Sequence, residues 1–233
     1  MAQAWRIWGA GRESLALSNA VRDSRVCVPQ LPLRHVPRPR LLAELDNASD
    51  RPLTLLSAGP GAGKTVLLTD WVRRGGARVA WLTPTAADAE PRRFWRLLES
   101  ALRDGDDAGS GPLAATPLAV GEDLMQALFS RVPAPEARLV VVIDDAHLLT
   151  HPDILAGLDS LIRGCQPGLR LILAARSDPL LPLHRYRLAG QMHELRAADL
   201  AMTPAEIADV LSGHGITLAA RDFSAQPGIL LDL

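Results

Sequence analysis

The stretch Leu53-Thr54-Leu55-Leu56-Ser57-Ala58-Gly59-Pro60-Gly61-Ala62-Gly63-Lys64-Thr65 constrains this chain more than any other part of it. An apolar run breaks into a glycine-rich turn, and Val66, Leu67, Leu68, Trp71 and Val72 then follow with helical spacing up to Gly75-Gly76. Buried strand, small-residue loop and helix start, in that order, point backbone N–H groups inward and add the positive end of the helix dipole. That combination holds phosphate. In this reading Gly59, Pro60, Gly61, Ala62, Gly63, Lys64, Thr65 and Val66 surround a polyphosphate, with Lys64 reaching the β- and γ-phosphates and the Thr65 hydroxyl ligating Mg²⁺. The usual pattern opens with glycine where this chain has Ala58, a change expected to be tolerated if φ is negative there. Lys64 is the single lysine among 25 basic residues. A compact ammonium suits a narrow backbone nest that a planar guanidinium fits poorly.

Two further strands point to the same chemistry. Leu139-Val140-Val141-Val142-Ile143 is a β-branched run of the kind buried on both faces of a parallel sheet, and it ends in Asp144-Asp145. Ligands of such sheets bind beyond the carboxyl ends of the strands. Asp144 is therefore the candidate outer-sphere partner of Mg²⁺ and Asp145 the candidate polariser of an attacking water; the plainer alternative is a helix-capping pair. Leu169 to Ala175 repeats the buried-strand pattern and ends in Arg176, which either senses a γ-phosphate or pairs with Asp178 at the surface. His147 is either a base or a packing and capping residue.

The rest of the chain bounds these readings. Its 233 residues, 48% hydrophobic, suffice for one core with a small appendage, and the net charge of −1 gives no basic footprint for a nucleic-acid groove. Cys27 and Cys165 lack metal or redox spacing, His184, His193 and His214 lack ligand spacing, and no apolar run approaches the roughly 20 residues that span a bilayer. A cytosolic location is expected, with no membrane partner. Residues 1–30 read as a poorly ordered leader, 31–198 as the nucleotide-binding core, and 199–233 as the start of a helical domain. Within the core, a proline-rich extended segment from Val28 to Pro39 precedes a helix over Arg40 to Ala48. A strand over Arg78 to Leu82, a helix from Pro91, a solvated loop over Asp104 to Pro112, a helix over Val120 to Arg131 and a strand over Gln191 to Leu195 follow. Thr203-Pro204-Ala205-Glu206 starts a last helix that runs to Ser212.

With these pieces in place the chain resembles the nucleotide-binding module of the signal-transduction NTPases with numerous domains, and within them the large ATP-binding LuxR-type (MalT-like) transcriptional regulators. Val36-Pro37-Arg38-Pro39-Arg40-Leu41-Leu42 resembles the segment that touches adenine there. Val79-Ala80-Trp81-Leu82 with Pro91-Arg92-Arg93-Phe94-Trp95, Asp144-Asp145-Ala146-His147, and Leu173-Ala174-Ala175-Arg176 resemble the second strand and its helix, the acidic strand end and the sensor arginine. The resemblance implies a three-layer α/β/α P-loop NTPase fold with a mostly parallel sheet, ATP or ADP with Mg²⁺ as cofactors, and contacts from Val36 and Arg38 to the nucleotide. It also implies slow hydrolysis through Lys64, Asp145 and Arg176, and self-association of the full-length protein in its ATP state. The family's Gly-x-Pro adenine contact has Ala225-Gln226-Pro227 as nearest counterpart, without the glycine. Its sensor repeats and DNA-binding helix-turn-helix do not fit within 233 residues, so this chain is not expected to bind operator DNA by itself. The competing functional expectation is an ATPase with active turnover, completed by an arginine of a neighbouring subunit.

Overall fold

Five strands form one wholly parallel sheet in the order β2-β3-β4-β1-β5. In the computed structural model, residues 23–48, 50–75, 77–104, 139–164, 169–213 and 216 are described. The leader up to residue 22, the solvated loop beyond Asp104, the helix expected over Val120 to Arg131 and the Ala225-Gln226-Pro227 stretch lie outside them.

The strands are β1 (Leu53–Ser57), β2 (Arg78–Leu82), β3 (Leu139–Ile143), β4 (Leu169–Ala175) and β5 (Met192–Arg196). The helices are α1 (Pro39–Asn47), α2 (Lys64–Arg74), α3 (Pro91–Asp104), α4 (Pro152–Arg163), α5 (Leu183–Leu188), α6 (Ala197–Leu200) and α7 (Pro204–Gly213). Side chains alternate across each strand, so the sheet has two apolar faces. Leu53, Leu55, Val141, Ile143, Leu171 and Leu173 face α3, α4 and α5, whereas Leu56, Val140, Val142, Ile172 and Ala174 face α1, α2 and α6. Helices therefore cover both sides, and the sheet with its flanking helices has the three-layer architecture of P-loop NTPases.

Two details fix the layers. Arg170 is a buried cation within β4 that donates to Leu45 O at 3.0 Å and Thr54 Oγ1 at 2.8 Å, with its guanidinium 5.1 Å from the centre of the Trp71 ring. It so satisfies one carbonyl left open at the end of α1 and joins α1, β1 and α2. On the other face, a Cβ added at Gly157 of α4 would stand 2.3 Å from Cζ2 of Trp95 in α3. Any side chain larger than hydrogen there would force the Trp95 ring to move.

Helices α4, α5 and α6 are absent from the sequence expectations. The pattern that reveals α4 is Pro152 at its first position followed by buried Ile154, Leu158, Leu161 and Ile162. The other two span six and four residues, too short for periodicity to register.

Candidate functional site

Parallel pairing brings every strand's carboxyl end to one edge. Ser57 at the end of β1 lies opposite Ala175 of β4 and Arg196 of β5, and Ile143 of β3 lies opposite Leu173 of β4. Because β4 sits between β1 and β3, Arg176 leaves the sheet between the phosphate loop and the acidic pair.

The loop that follows β1 is shaped by its glycines. Gly61 and Gly63 have φ of 76° and 77°, the left-handed region, which costs other L-residues about 1 kcal/mol. Ala58 is outside that region; its N–H donates to Ala175 O at 3.2 Å and prolongs the sheet, so the methyl group is accommodated as expected. Gly59 also has an ordinary φ, and a Cβ built there meets no atom within 4 Å. The fold alone does not require glycine at 59; the open space beside its backbone is room that a bound group can fill.

Lys64 begins α2 and is buried, with Nζ donating to Ala58 O at 2.6 Å and Gly59 O at 2.9 Å. Burial lowers its pKa, the nearby charges of Asp144 and Asp145 oppose that, and Arg176 adds to it. Thr65 Oγ1 donates to Asp144 Oδ2 at 2.7 Å, and the Asp145 N–H donates to Asp144 Oδ1 at 3.0 Å. Burial pushes the Asp144 carboxyl above its ordinary range; the Thr65 bond works against this, and the negative charge of Asp145 adds to the rise.

Asp145 is the only non-glycine residue with positive φ among the described residues, at 54°. Strain of this kind persists where surrounding structure enforces it and concentrates at working sites. The turn separates the two carboxylates: the Asp144 residue is 4% exposed, whereas the Asp145 side chain is 34% exposed. Arg176 Nε lies 3.7 Å from Asp145 Oδ1, and His147 Nδ1, buried and without a hydrogen bond, lies 3.8 Å from the same oxygen.

Lys64, Thr65, Asp144, Asp145 and Arg176 thus form one cluster. Arg176 faces Asp145, and Asp178 binds other groups, so the surface pairing of Arg176 with Asp178 is not formed. Arg38 belongs to a different set of contacts. It is buried and donates to Glu206 Oε1 at 3.2 Å, Glu206 Oε2 at 3.0 Å, Leu200 O at 2.9 Å and Ala201 O at 2.9 Å. Val36 is half-buried beside it. Sequence reasoning finds the capping box of α7, in which Thr203 and Glu206 exchange hydrogen bonds, but misses that the same Glu206 clasps Arg38, 168 residues away. Nothing local in the sequence signals such a pair.

The donor set fits the cofactors expected of it. Thr65 Oγ1 and Asp144 Oδ2, 2.7 Å apart, are hard oxygens that suit Mg²⁺, which binds through few protein oxygens and keeps several waters through which a carboxylate can reach it. The open face at Gly59 and the ammonium of Lys64 suit a polyphosphate.

Fold and site together define a P-loop NTPase, and the chain belongs to the AAA domain family, whose model matches residues 46–181, more than half of its length. It is related to MalT-type regulators: over 175 residues, 73% of this chain, it is 32% identical to the HTH-type transcriptional regulator MalT of Cronobacter sakazakii. The chain spans 19% of that relative's length. Among solved structures, a Walker-type ATPase of Pyrococcus abyssi aligns with a TM-score of 0.54 at 15% identity, covering 84% of this chain and 63% of that one. A STAND protein with a tetratricopeptide repeat sensor from Pyrococcus horikoshii aligns at 0.49 and 16% identity, covering 85% and 27%. No helix of the described residues is long and apolar enough to cross a membrane.

Proposed function

We propose that this chain is an ATP- and Mg²⁺-binding regulatory switch module with slow hydrolysis, the N-terminal part of a LuxR/MalT-type transcriptional regulator. The observation that carries this reading is the convergence of Lys64, the Thr65–Asp144 pair, Asp145 and Arg176 at one sheet edge beside a glycine loop with an open face. Residues 31–198 form the nucleotide-binding core in this proposal, and 199–233 open a helical domain.

Each side chain has a distinct task. Lys64 leaves the carbonyls of Ala58 and Gly59 and turns to the β- and γ-phosphates. Thr65 would ligate Mg²⁺ and Asp144 would hold it through water; bound there, the ion would neutralise charge on the phosphate oxygens. Asp145, the more exposed carboxylate, orients water and accepts its proton. Arg176 exchanges its contact 3.7 Å from Asp145 for a γ-phosphate, so its position differs between ATP and ADP. The backbone of Val36 to Arg38 borders the base, while the Arg38 guanidinium stays with Glu206. In the full-length protein the ATP form self-associates, and DNA is bound through a domain outside these residues.

Nucleotide titration of this chain and of Lys64→Ala tests the assignment. At least a tenfold loss of affinity is expected, on the order of one charge-assisted contact, and equal affinities would overturn it. Turnover below about 1 s⁻¹ and independent of protein concentration supports the switch. Fast turnover that rises with concentration would favour an oligomeric ATPase completed by a neighbour's arginine.

A further inference from the structure

Beside the reacting cluster stands a second set of charges that touches none of it. Ser57, the last residue of β1, donates from Oγ to Asp178 Oδ1 at 2.8 Å. Arg196, the last residue of β5, donates from Nη1 to the same oxygen and from Nη2 to Asp178 Oδ2 at 3.1 Å; Arg187 Nη2 lies 3.8 Å from Oδ2. Glu194 closes the set, accepting from Arg187 Nε and, at 2.8 Å, from Arg196 Nε. Two carboxylates and two guanidinium groups alternate, and their charges balance. The bonds from Arg196 first, then that from Ser57, hold the Asp178 carboxyl below its ordinary range despite partial burial.

The position of this set matters more than its strength. Ser57 immediately precedes the phosphate loop, and Asp178 follows Arg176 by two residues. Among the described residues, no backbone group from Ser177 to Leu180 is hydrogen-bonded to another backbone group. The turn that carries Arg176 is therefore anchored on this side by the Asp178 carboxylate. Arg176 itself is 54% exposed, with its nearest carboxylate oxygen at 3.7 Å, beyond hydrogen-bond range. Its side chain contributes little to its own placement, and the backbone from which it extends must supply it.

We infer that Asp178 is a positioning residue: through Ser57 and Arg196 it fixes the distance between the phosphate loop and Arg176, and so sets how well the site separates nucleoside triphosphate from diphosphate. The inference rests on the reading of Lys64 and Arg176 given above. Rigid placement of a charge-assisted donor is what converts its presence into selectivity, because a donor free to swing serves either nucleotide equally poorly.

The test is the ratio of affinities for a non-hydrolysable ATP analogue and for ADP, both with Mg²⁺, in the purified chain. Arg176→Ala sets the reference by lowering the analogue's affinity by about tenfold while ADP affinity holds within about twofold. Asp178→Ala is expected to move the ratio in the same direction by a comparable factor, and Ser57→Ala, which removes only the bond to the loop root, by a smaller one. A wild-type ratio in Asp178→Ala, with the ratio lost in Arg176→Ala, would overturn the inference and leave the reading of Arg176 intact. An unchanged ratio in Arg176→Ala would instead overturn that reading. If Asp178→Ala does not fold, as thermal unfolding would reveal, Ser57→Ala decides: a shifted ratio supports the inference and an unshifted one ends it.

Discussion

Arg38 and Arg176 are both arginines expected at a nucleotide, Arg38 through the family resemblance and Arg176 through the strand it ends, and the fold holds them in opposite ways. Arg38 is 8% exposed and directs its guanidinium to both oxygens of Glu206 and to two backbone carbonyls, so its donors are engaged. Arg176 is half exposed and has only a distant carboxylate beside it. A cation whose hydrogen bonds are made to protein serves the fold, whereas one with free donors at the carboxyl edge of the sheet is available to a ligand. The two arginines consequently differ in kind: one is built into the fold, the other is poised.

The largest effect that would break this contrast is on stability. Arg38→Ala leaves Glu206 buried without its counter-charge and is expected to cost about 3–5 kcal/mol, measured by urea unfolding; a loss below about 1 kcal/mol would show that the clasp is as loose as Arg176. Arg38→Lys keeps the charge but not the fork, and an intermediate loss of roughly 2 kcal/mol is expected from it. Arg176→Ala should shift stability by no more than about 0.5 kcal/mol, as surface substitutions do, while its effect appears in triphosphate affinity. The smallest effect is in acid. Burial pushes the Glu206 carboxyl up, but the Arg38 bonds and the Thr203 N–H outweigh it and leave its pKa below the ordinary 4.5. The clasp's contribution is therefore full above pH 4.5 and is lost as pH falls through the lower folded value. Glu206→Gln should flatten that part of the acid-unfolding curve, and an unaltered curve would assign the acid sensitivity elsewhere.

The same contrast explains what the sequence reveals. Strands β2 and β3 stand at the bounds their apolar runs suggest, β5 is displaced by one residue, and two of the phosphate loop's three glycines, Gly61 and Gly63, stand where φ is positive. These are local signals: period, turn chemistry, a strand ending in charge. The cluster of Lys64, Asp144 and Arg176 is legible as well, because parallel strands must all end at one edge. Contacts set by the layers' mutual packing are not legible. Glu206 reads as a capping residue until α7 is seen against Arg38, and Asp178 reads as a partner of Arg176 until the crossover to β5 brings in Arg196. Gly157 is an unremarked glycine within a helix until Trp95 is found against it.

That glycine gives the protein a handle remote from its chemistry. One methyl group at position 157 would act as a wedge between α3 and α4, on the face of the sheet away from α1 and α2. A Gly157→Ala variant should behave as a heat-labile form: able to take up nucleotide when cool, and losing circular dichroism at a lower temperature than its parent. Cells carrying it could be switched by a thermostat, with Lys64 and its neighbours left untouched.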